Sequence, residues 1–201
     1  METRIEIGDG GRRLPAVIAV PDAPARALAV VCHPHPLYGG DMENPVVVAV
    51  ADALRDAGIA AIRFDFGPFD GGRAEQRDTA AALDELARVV GRPVPRILAG
   101  YSFGAWVAAQ SALTLPEVAR VLTIAPPLDF FDWSFTANLT MPLDVVVGDA
   151  DSYCPTKRIA DLRRSPLSRT TILPGVDHFF GRGIDAAVRA VVSAVSLAEL
   201  R

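Results

Sequence analysis

Gly100-Tyr101-Ser102-Phe103-Gly104 is the stretch on which the reading of this sequence turns. Arg96-Ile97-Leu98-Ala99 before it is a short, mostly apolar run suited to a buried strand, and Ala105-Trp106-Val107-Ala108-Ala109 after it favours helix. The pattern predicts a strand, an abrupt turn and a helix, with Ser102 at the turn. Such a turn pushes a hydroxyl out at the end of a sheet, where a base can reach it. A side chain at Gly100 or Gly104 would jam the helix against the strand, so both glycines suit this geometry. Serine is also a favoured helix N-cap, so the chemistry has to be argued from partners elsewhere in the chain.

Outward from this motif, apolar strand-like runs alternate with helix-like stretches. Residues 4–7 and 14–20 suggest an N-terminal hairpin turning at Asp9-Gly10-Gly11. Residues 28–32 are continuously apolar, as in a strand covered on both faces. Further strands are expected at 60–66, 96–99, 120–125, 143–147 and 170–173. Helices are expected at 45–57, 73–90, after Ser102, at 155–163 behind Pro155, and at 184–200. That alternation predicts one α/β domain over residues 1–201, built on a mostly parallel sheet of about eight strands with helices on both faces. Chemistry in such sheets gathers beyond the C-terminal strand ends.

Reactive residue types fall at those ends. Ser102 follows a middle strand, Asp149 and Asp151 follow the strand at 143–147, and His178 follows the last one. A serine hydroxyl is a poor nucleophile until an imidazole takes its proton. A carboxylate on the far ring nitrogen fixes the imidazole tautomer. Two donors are also needed for the oxyanion of a tetrahedral intermediate. One is expected to be the N–H of Phe103 at a helix N-terminus. The second is expected from His33-Pro34-His35-Pro36-Leu37-Tyr38-Gly39-Gly40. Prolines donate nothing, which leaves His33, His35 and Leu37. His35 is favoured, because flanking prolines hold its amide rigidly.

At this point the chain resembles a known family. The order Ser, Asp, His is similar to that of the α/β-hydrolases. Cys32-His33-Pro34-His35-Pro36-Leu37-Tyr38-Gly39-Gly40-Asp41-Met42-Glu43-Asn44 resembles the H-P-H-P-x-x-G-G-x-M-x-N signature of small, lidless, dienelactone-hydrolase-like bacterial members. Gly100–Ala105 and Asp177-His178-Phe179-Phe180 match the same group. The resemblance implies an α/β-hydrolase fold and a serine hydrolase of small carboxylic esters working through an acyl-enzyme, without cofactor. Its usual spacing selects Asp151 as the triad acid beside Ser102 and His178, and leaves Asp149 a local loop-capping role. A thioesterase, a lactone or amide hydrolase, and a non-catalytic binding protein of the same fold are the alternatives. One departure stands out: relatives carry R-G-x-G-x-S-x-G where this chain has Gly67-Pro68-Phe69-Asp70-Gly71-Gly72.

The remaining residues narrow the function further. Only about 17 residues separate Ala125 from Leu143, too few for a lid domain. The aromatic run Phe130-Phe131-Asp132-Trp133-Ser134-Phe135 within it suits a pocket wall, a dimer contact or sheet packing. Tyr38, Phe69 and Trp133 are the expected substrate contacts. His33 and His35 form an H-x-H pair, but the chain has only three histidines and no further ligand cluster nearby, so no metal is expected. Cys32 reads as a small core residue and Cys154 as a loop residue, both reduced thiols. Glu75 and Asp78 head a long helix and complement its dipole. A net charge of −4 without a basic run offers nucleic acid no footprint. No apolar run nears the roughly 18 residues of a membrane span. A cytoplasmic protein acting on a small-molecule ester or thioester is expected, with a homodimer as an option.

Overall fold

The computed structural model describes residues 2–9, 11–162 and 168–196. Eight strands form one sheet: β1 (Glu2–Asp9), β2 (Arg12–Ala19), β3 (Ala27–Cys32), β4 (Ile59–Phe64), β5 (Arg96–Tyr101), β6 (Val118–Ile124), β7 (Leu143–Gly148) and β8 (Thr170–Leu173). Their order is β1-β2-β4-β3-β5-β6-β7-β8. β2 runs antiparallel to both β1 and β4, and every other neighbouring pair is parallel. Among the described residues, α1 (Pro45–Asp56), α2 (Arg73–Val90) and α3 (Phe103–Ser111) connect successive strands, and α4 (Ile184–Ser196) follows β8.

Alternation along the central strands sorts the core into two layers. Leu28, Val30 and Cys32 of β3 face α2 and α3 together with Ile62, Leu83, Leu98 and Val107. Ala27, Ala29 and Val31 face α1 and α4 together with Val50, Leu54, Ile97 and Val191. Every residue of β3 is buried, which explains its unbroken apolar run. Helix α1 starts where proline costs nothing: Asn44 accepts the Val46 N–H at 3.0 Å, and Pro45 occupies the first turn.

The expected elements are present, with differences in type and extent. The helix expected at 155–163 is a 3-10 helix at Thr156–Asp161. It buries Ile159, and Leu162 just past its end is buried too, three residues on, the spacing a three-residue turn aligns on one face. Strand β6 begins two residues earlier than the apolar run suggests, because Val118 pairs with Arg96 across an irregular register. Residues 126–142 hold a 3-10 helix at Ser134–Asn138 and no separate lid. Gly10 of the hairpin turn, Arg163, and residues 197–200 of the expected last helix lie outside the described residues.

One buried ion pair ties the edge of the sheet. Asp144 in β7 pairs with Arg120 in β6, accepts the Arg169 N–H at 2.7 Å, and both residues are buried. Asp144→Ala would leave the Arg120 charge uncompensated, a change that costs about 3–5 kcal/mol. Thermal unfolding of Asp144→Ala is expected to show a Tm lowered by about 2–4 °C for each kcal/mol lost. The double change Arg120→Met with Asp144→Leu is expected to recover most of that loss.

Candidate active site

Ser102 sits between the last residue of β5 and the first of α3, with φ 54° and ψ −121°. A side chain held there costs about 1–3 kcal/mol of local strain. The Ser102 N–H donates to the Ile124 carbonyl at 2.9 Å and helps to hold the turn. The flanking glycines are there for close approach. A Cβ on Gly100 would meet the Gly104 carbonyl oxygen at 2.1 Å. A Cβ on Gly104 would meet the carbonyl oxygens of Cys32 at 2.3 Å and His33 at 2.5 Å. The first turn of α3 is therefore pressed against the C-terminal end of β3 as well as against its own strand.

From this turn Ser102 Oγ lies 2.9 Å from His178 Nε2. His178 Nδ1 lies 3.0 Å from each carboxylate oxygen of Asp151. Asp151 Oδ1 also accepts the N–H groups of Tyr153 at 2.8 Å and Cys154 at 3.0 Å. A carboxylate only accepts, so Nδ1 carries the proton and Nε2 is left to accept from Ser102. The His178 carbonyl accepts from the buried Tyr101 hydroxyl at 2.8 Å, and the Tyr153 ring packs against the imidazole at 4.4 Å. Burial raises the Tyr101 phenol well above its ordinary range, so it stays a donor. Asp149 faces elsewhere. It accepts the Gly175 N–H at 2.7 Å, joining the loops after β7 and β8 rather than capping its own.

The loop after β3 leaves few donors free. Leu37 N–H reaches His35 Nδ1 at 3.3 Å, Tyr38 and Gly40 N–H both reach the His35 carbonyl, and Gly39 N–H reaches that of Pro36. Leu37, one of three donors considered from sequence, is thereby occupied. The His35 ring packs against Tyr38, Phe69 and Phe103 at centroid distances of 4.6–4.8 Å. The His33 ring is used at both nitrogens: Nδ1 donates to the Pro34 carbonyl at 2.6 Å and Nε2 accepts the Phe66 N–H at 3.0 Å. The sequence signalled only an H-x-H pair. Among the described residues no group of three or more His, Cys, Asp or Glu could hold a metal ion.

Ser102 and His178 open onto a cleft of about 620 Å³. Tyr38, Phe103, Phe130, Phe131, Tyr153 and Phe179 supply its aromatic wall, and among the described residues no Lys, Arg, Asp or Glu lines it. Tyr38 is at this wall. Trp133 is not: it is buried in the core and stacks on Phe135 at 5.8 Å. The 3-10 turn that follows it is the reason, since the Trp133 carbonyl accepts both the N–H and the hydroxyl of Thr136. That turn carries the indole inward and leaves Phe130 and Phe131 at the cleft. Phe69 stands behind the wall, packed on His35 and on Phe103 at 5.8 Å. Tyr153 and Phe179 were not singled out by sequence, where their only signal was adjacency to Asp151 and His178.

Comparison with known proteins bears on the fold and the family. No family model matches the chain. An uncharacterised protein of Rickettsia prowazekii, RP471, is 36% identical over 80% of this chain and 73% of its own length. The crystal structure of XC6422 from Xanthomonas campestris, a serine hydrolase without a lid, superposes with a TM-score of 0.85 at 31% identity, covering 97% of this chain and 94% of that one. The chain belongs to the lidless α/β serine hydrolases. A mitochondrial palmitoyl-protein thioesterase of Rattus norvegicus, ABHD10, is 33% identical over 47% of this chain, which spans 33% of that protein's length.

In this hydrolase the departing loop at 67–72 is held by buried carboxylates. Glu75 accepts the N–H groups of Asp70 at 3.0 Å and Gly72 at 2.8 Å. Asp78 accepts the Gly67 N–H at 2.9 Å and pairs with Arg12 at 2.6 Å. Both carboxylates are fully buried, so they do more than complement a helix dipole: they satisfy loop N–H groups that would otherwise lack partners. Cys154 lies in the loop after β7 and is buried there. Burial pushes its thiol well up, and pushes that of Cys32 to about 12.

Desolvation lowers the His33 imidazole from its ordinary 6.5, against opposing pulls from the Pro34 carbonyl, Asp65, Asp41 and Glu75. The Phe66 N–H aimed at Nε2 resists protonation further. Below pH 6.5 the unfolded chain takes a proton here that the folded chain refuses, so the unfolded state binds more protons and stability falls as the pH falls. The contribution is complete above 6.5 and is lost as the pH drops through the folded pKa. Denaturant unfolding is expected to show a steeper decline below 6.5 for wild type than for His33→Gln, by up to about 1.4 kcal/mol per pH unit.

Proposed function

We propose that this hydrolase cleaves small, neutral carboxylic esters through an acyl-enzyme, with Ser102 as nucleophile, His178 as base and Asp151 as the carboxylate that orients it. The observation that carries this reading is the continuous relay from Ser102 Oγ through His178 to Asp151. In the first step His178 Nε2 takes the Ser102 proton as Oγ bonds to the ester carbonyl carbon. The oxyanion is met by the N–H groups of Phe103 and His35, and the α3 dipole adds to that field. The imidazolium then protonates the departing alcohol as the C–O bond breaks. In the second step His178 activates a water that releases the acid and regenerates Ser102. The uncharged aromatic wall suits a neutral acyl group, and an open cleft without a lid suits a small or soluble substrate.

A thioester is the second reading, favoured by the partial likeness to ABHD10. The same residues and steps serve it, with a thiol as leaving group. Matched series of p-nitrophenyl esters and acyl thioesters separate the two, and higher kcat/KM on the esters is the expected result.

A fluorophosphonate probe is expected to label wild-type protein at Ser102, located by mass spectrometry, and to leave Ser102→Ala unlabelled. Labelled protein without ester or thioester turnover would move the search to amides and lactones. Folded wild-type protein that stays unlabelled would overturn the nucleophile assignment and favour a binding protein. Asp151→Asn is expected to lower kcat by about 10⁴-fold, the usual effect when the imidazole loses its orienting carboxylate. Asp149→Asn is expected to stay within a few-fold of wild type, because its bond is to Gly175.

A further inference from the structure

His33 lies outside the relay, yet both of its ring nitrogens are used and it is almost fully buried. Its Nδ1–H holds the Pro34 carbonyl. That carbonyl belongs to the same peptide unit as the His35 N–H, the donor assigned above to the oxyanion. The described chain has no cis peptide bond, so this unit is trans and planar. Its C=O and N–H point in opposite directions, and gripping one aims the other.

We propose that His33 is a positioning residue: by holding the Pro34 carbonyl it fixes the orientation of the His35 N–H toward the oxyanion. The inference rests on the hydrolase reading above.

Four observations support it. The His33 ring cannot turn without losing the Phe66 N–H at 3.0 Å and its packing on the Phe66 ring at 4.4 Å. The next peptide is held as well, because the His35 carbonyl accepts from Tyr38 at 3.0 Å and Gly40 at 3.1 Å. A Cβ on Gly40 would lie 2.2 Å from the Pro34 carbonyl oxygen, so the loop closes directly over the gripped carbonyl. The root of this loop also touches the first turn of α3, as the 2.5 Å approach of the His33 carbonyl oxygen to a Gly104 Cβ shows. The two donors thus rise from backbone segments in contact.

Chemistry makes the arrangement consequential. A flipped Pro34–His35 peptide would turn a carbonyl oxygen toward the developing negative charge, replacing attraction with repulsion. Only the tautomer protonated at Nδ1 donates to Pro34 while accepting from Phe66. Packing alone would be satisfied by a ring of either polarity.

Two substitutions divide the roles. His33→Asn places an amide near Nδ1, keeping the donor to Pro34 while losing the acceptor for Phe66. His33→Gln reaches the Nε2 position, keeping that acceptor while losing the donor. With p-nitrophenyl butyrate, His33→Gln is expected to lose about 10²–10³-fold in kcat with KM within a few-fold, as when one oxyanion donor is removed. Its affinity for a trifluoromethyl ketone, which forms a tetrahedral oxyanion on the serine, is expected to fall by a similar factor. His33→Asn is expected to retain kcat within about tenfold and to bind the ketone nearly as wild type does.

Tm is measured alongside. Equal losses of kcat in the two variants, losses that follow Tm, or unchanged ketone affinity in His33→Gln would overturn the assignment to His33 while leaving the hydrolase reading intact. Wild-type protein that neither turns over esters nor binds the ketone would overturn both.

Discussion

Backbone meets backbone at Gly104, where the first turn of α3 rests on the carbonyls that end β3. Most of the site depends on that contact. It allows no side chain at Gly104, and the equally close approach at Gly100 allows none there. Together they force the chain through a left-handed residue at Ser102. The strain at Ser102 persists because the surrounding sheet over-determines it: Ser102 is hydrogen-bonded to Ile124 on one side and followed by a packed helix on the other. The same contact brings the loop after β3 beside the N-terminus of α3, so the two donors used in the proposed mechanism come from segments that cannot drift apart independently.

Carboxylates take up the backbone donors around this centre. Asp151 receives Tyr153 and Cys154, Glu75 receives Asp70 and Gly72, Asp78 receives Gly67, and Asp149 receives Gly175. Irregular loops at the strand ends have no ladder to satisfy their N–H groups, and an unmade bond there is costly. Asp151 differs from the others in that its carboxylate also meets an imidazole. Rigid loops and an oriented base thus arise from one device, a buried acceptor at the turn.

The cleft combines this polar centre with an aromatic, charge-free wall. Aromatic side chains offer large contact area with few rotatable bonds, so the wall is shaped before a ligand arrives. Phe130, Phe179, Tyr38 and Leu37 remain substantially exposed around the centre. The segment between β6 and β7 does not cover them, because its 3-10 helix folds down onto the sheet and contributes Trp133 to the core.

Regular elements were readable from local pattern. The unbroken apolar run of β3, the extent of α2 at Arg73–Val90 and of β8 at Thr170–Leu173, and the turn at Ser102 all follow from periodicity and from glycine placement. The sequence could also bring Ser102, His178 and a pair of aspartates to the same sheet edge, because parallel strands all end there. Strand pattern alone left Asp149 and Asp151 open; the family spacing selected Asp151, and only the structure shows that Asp149 instead holds Gly175. The sequence could not show that Trp133 turns inward, that Cys154, Glu75 and Asp78 are buried, or that the His33 ring joins Pro34 to Phe66. These all lie in loops or at helix starts, where no repeat links sequence position to direction. There the side chain goes where distant backbone needs an acceptor or a void needs filling, and only the assembled sheet decides where that is.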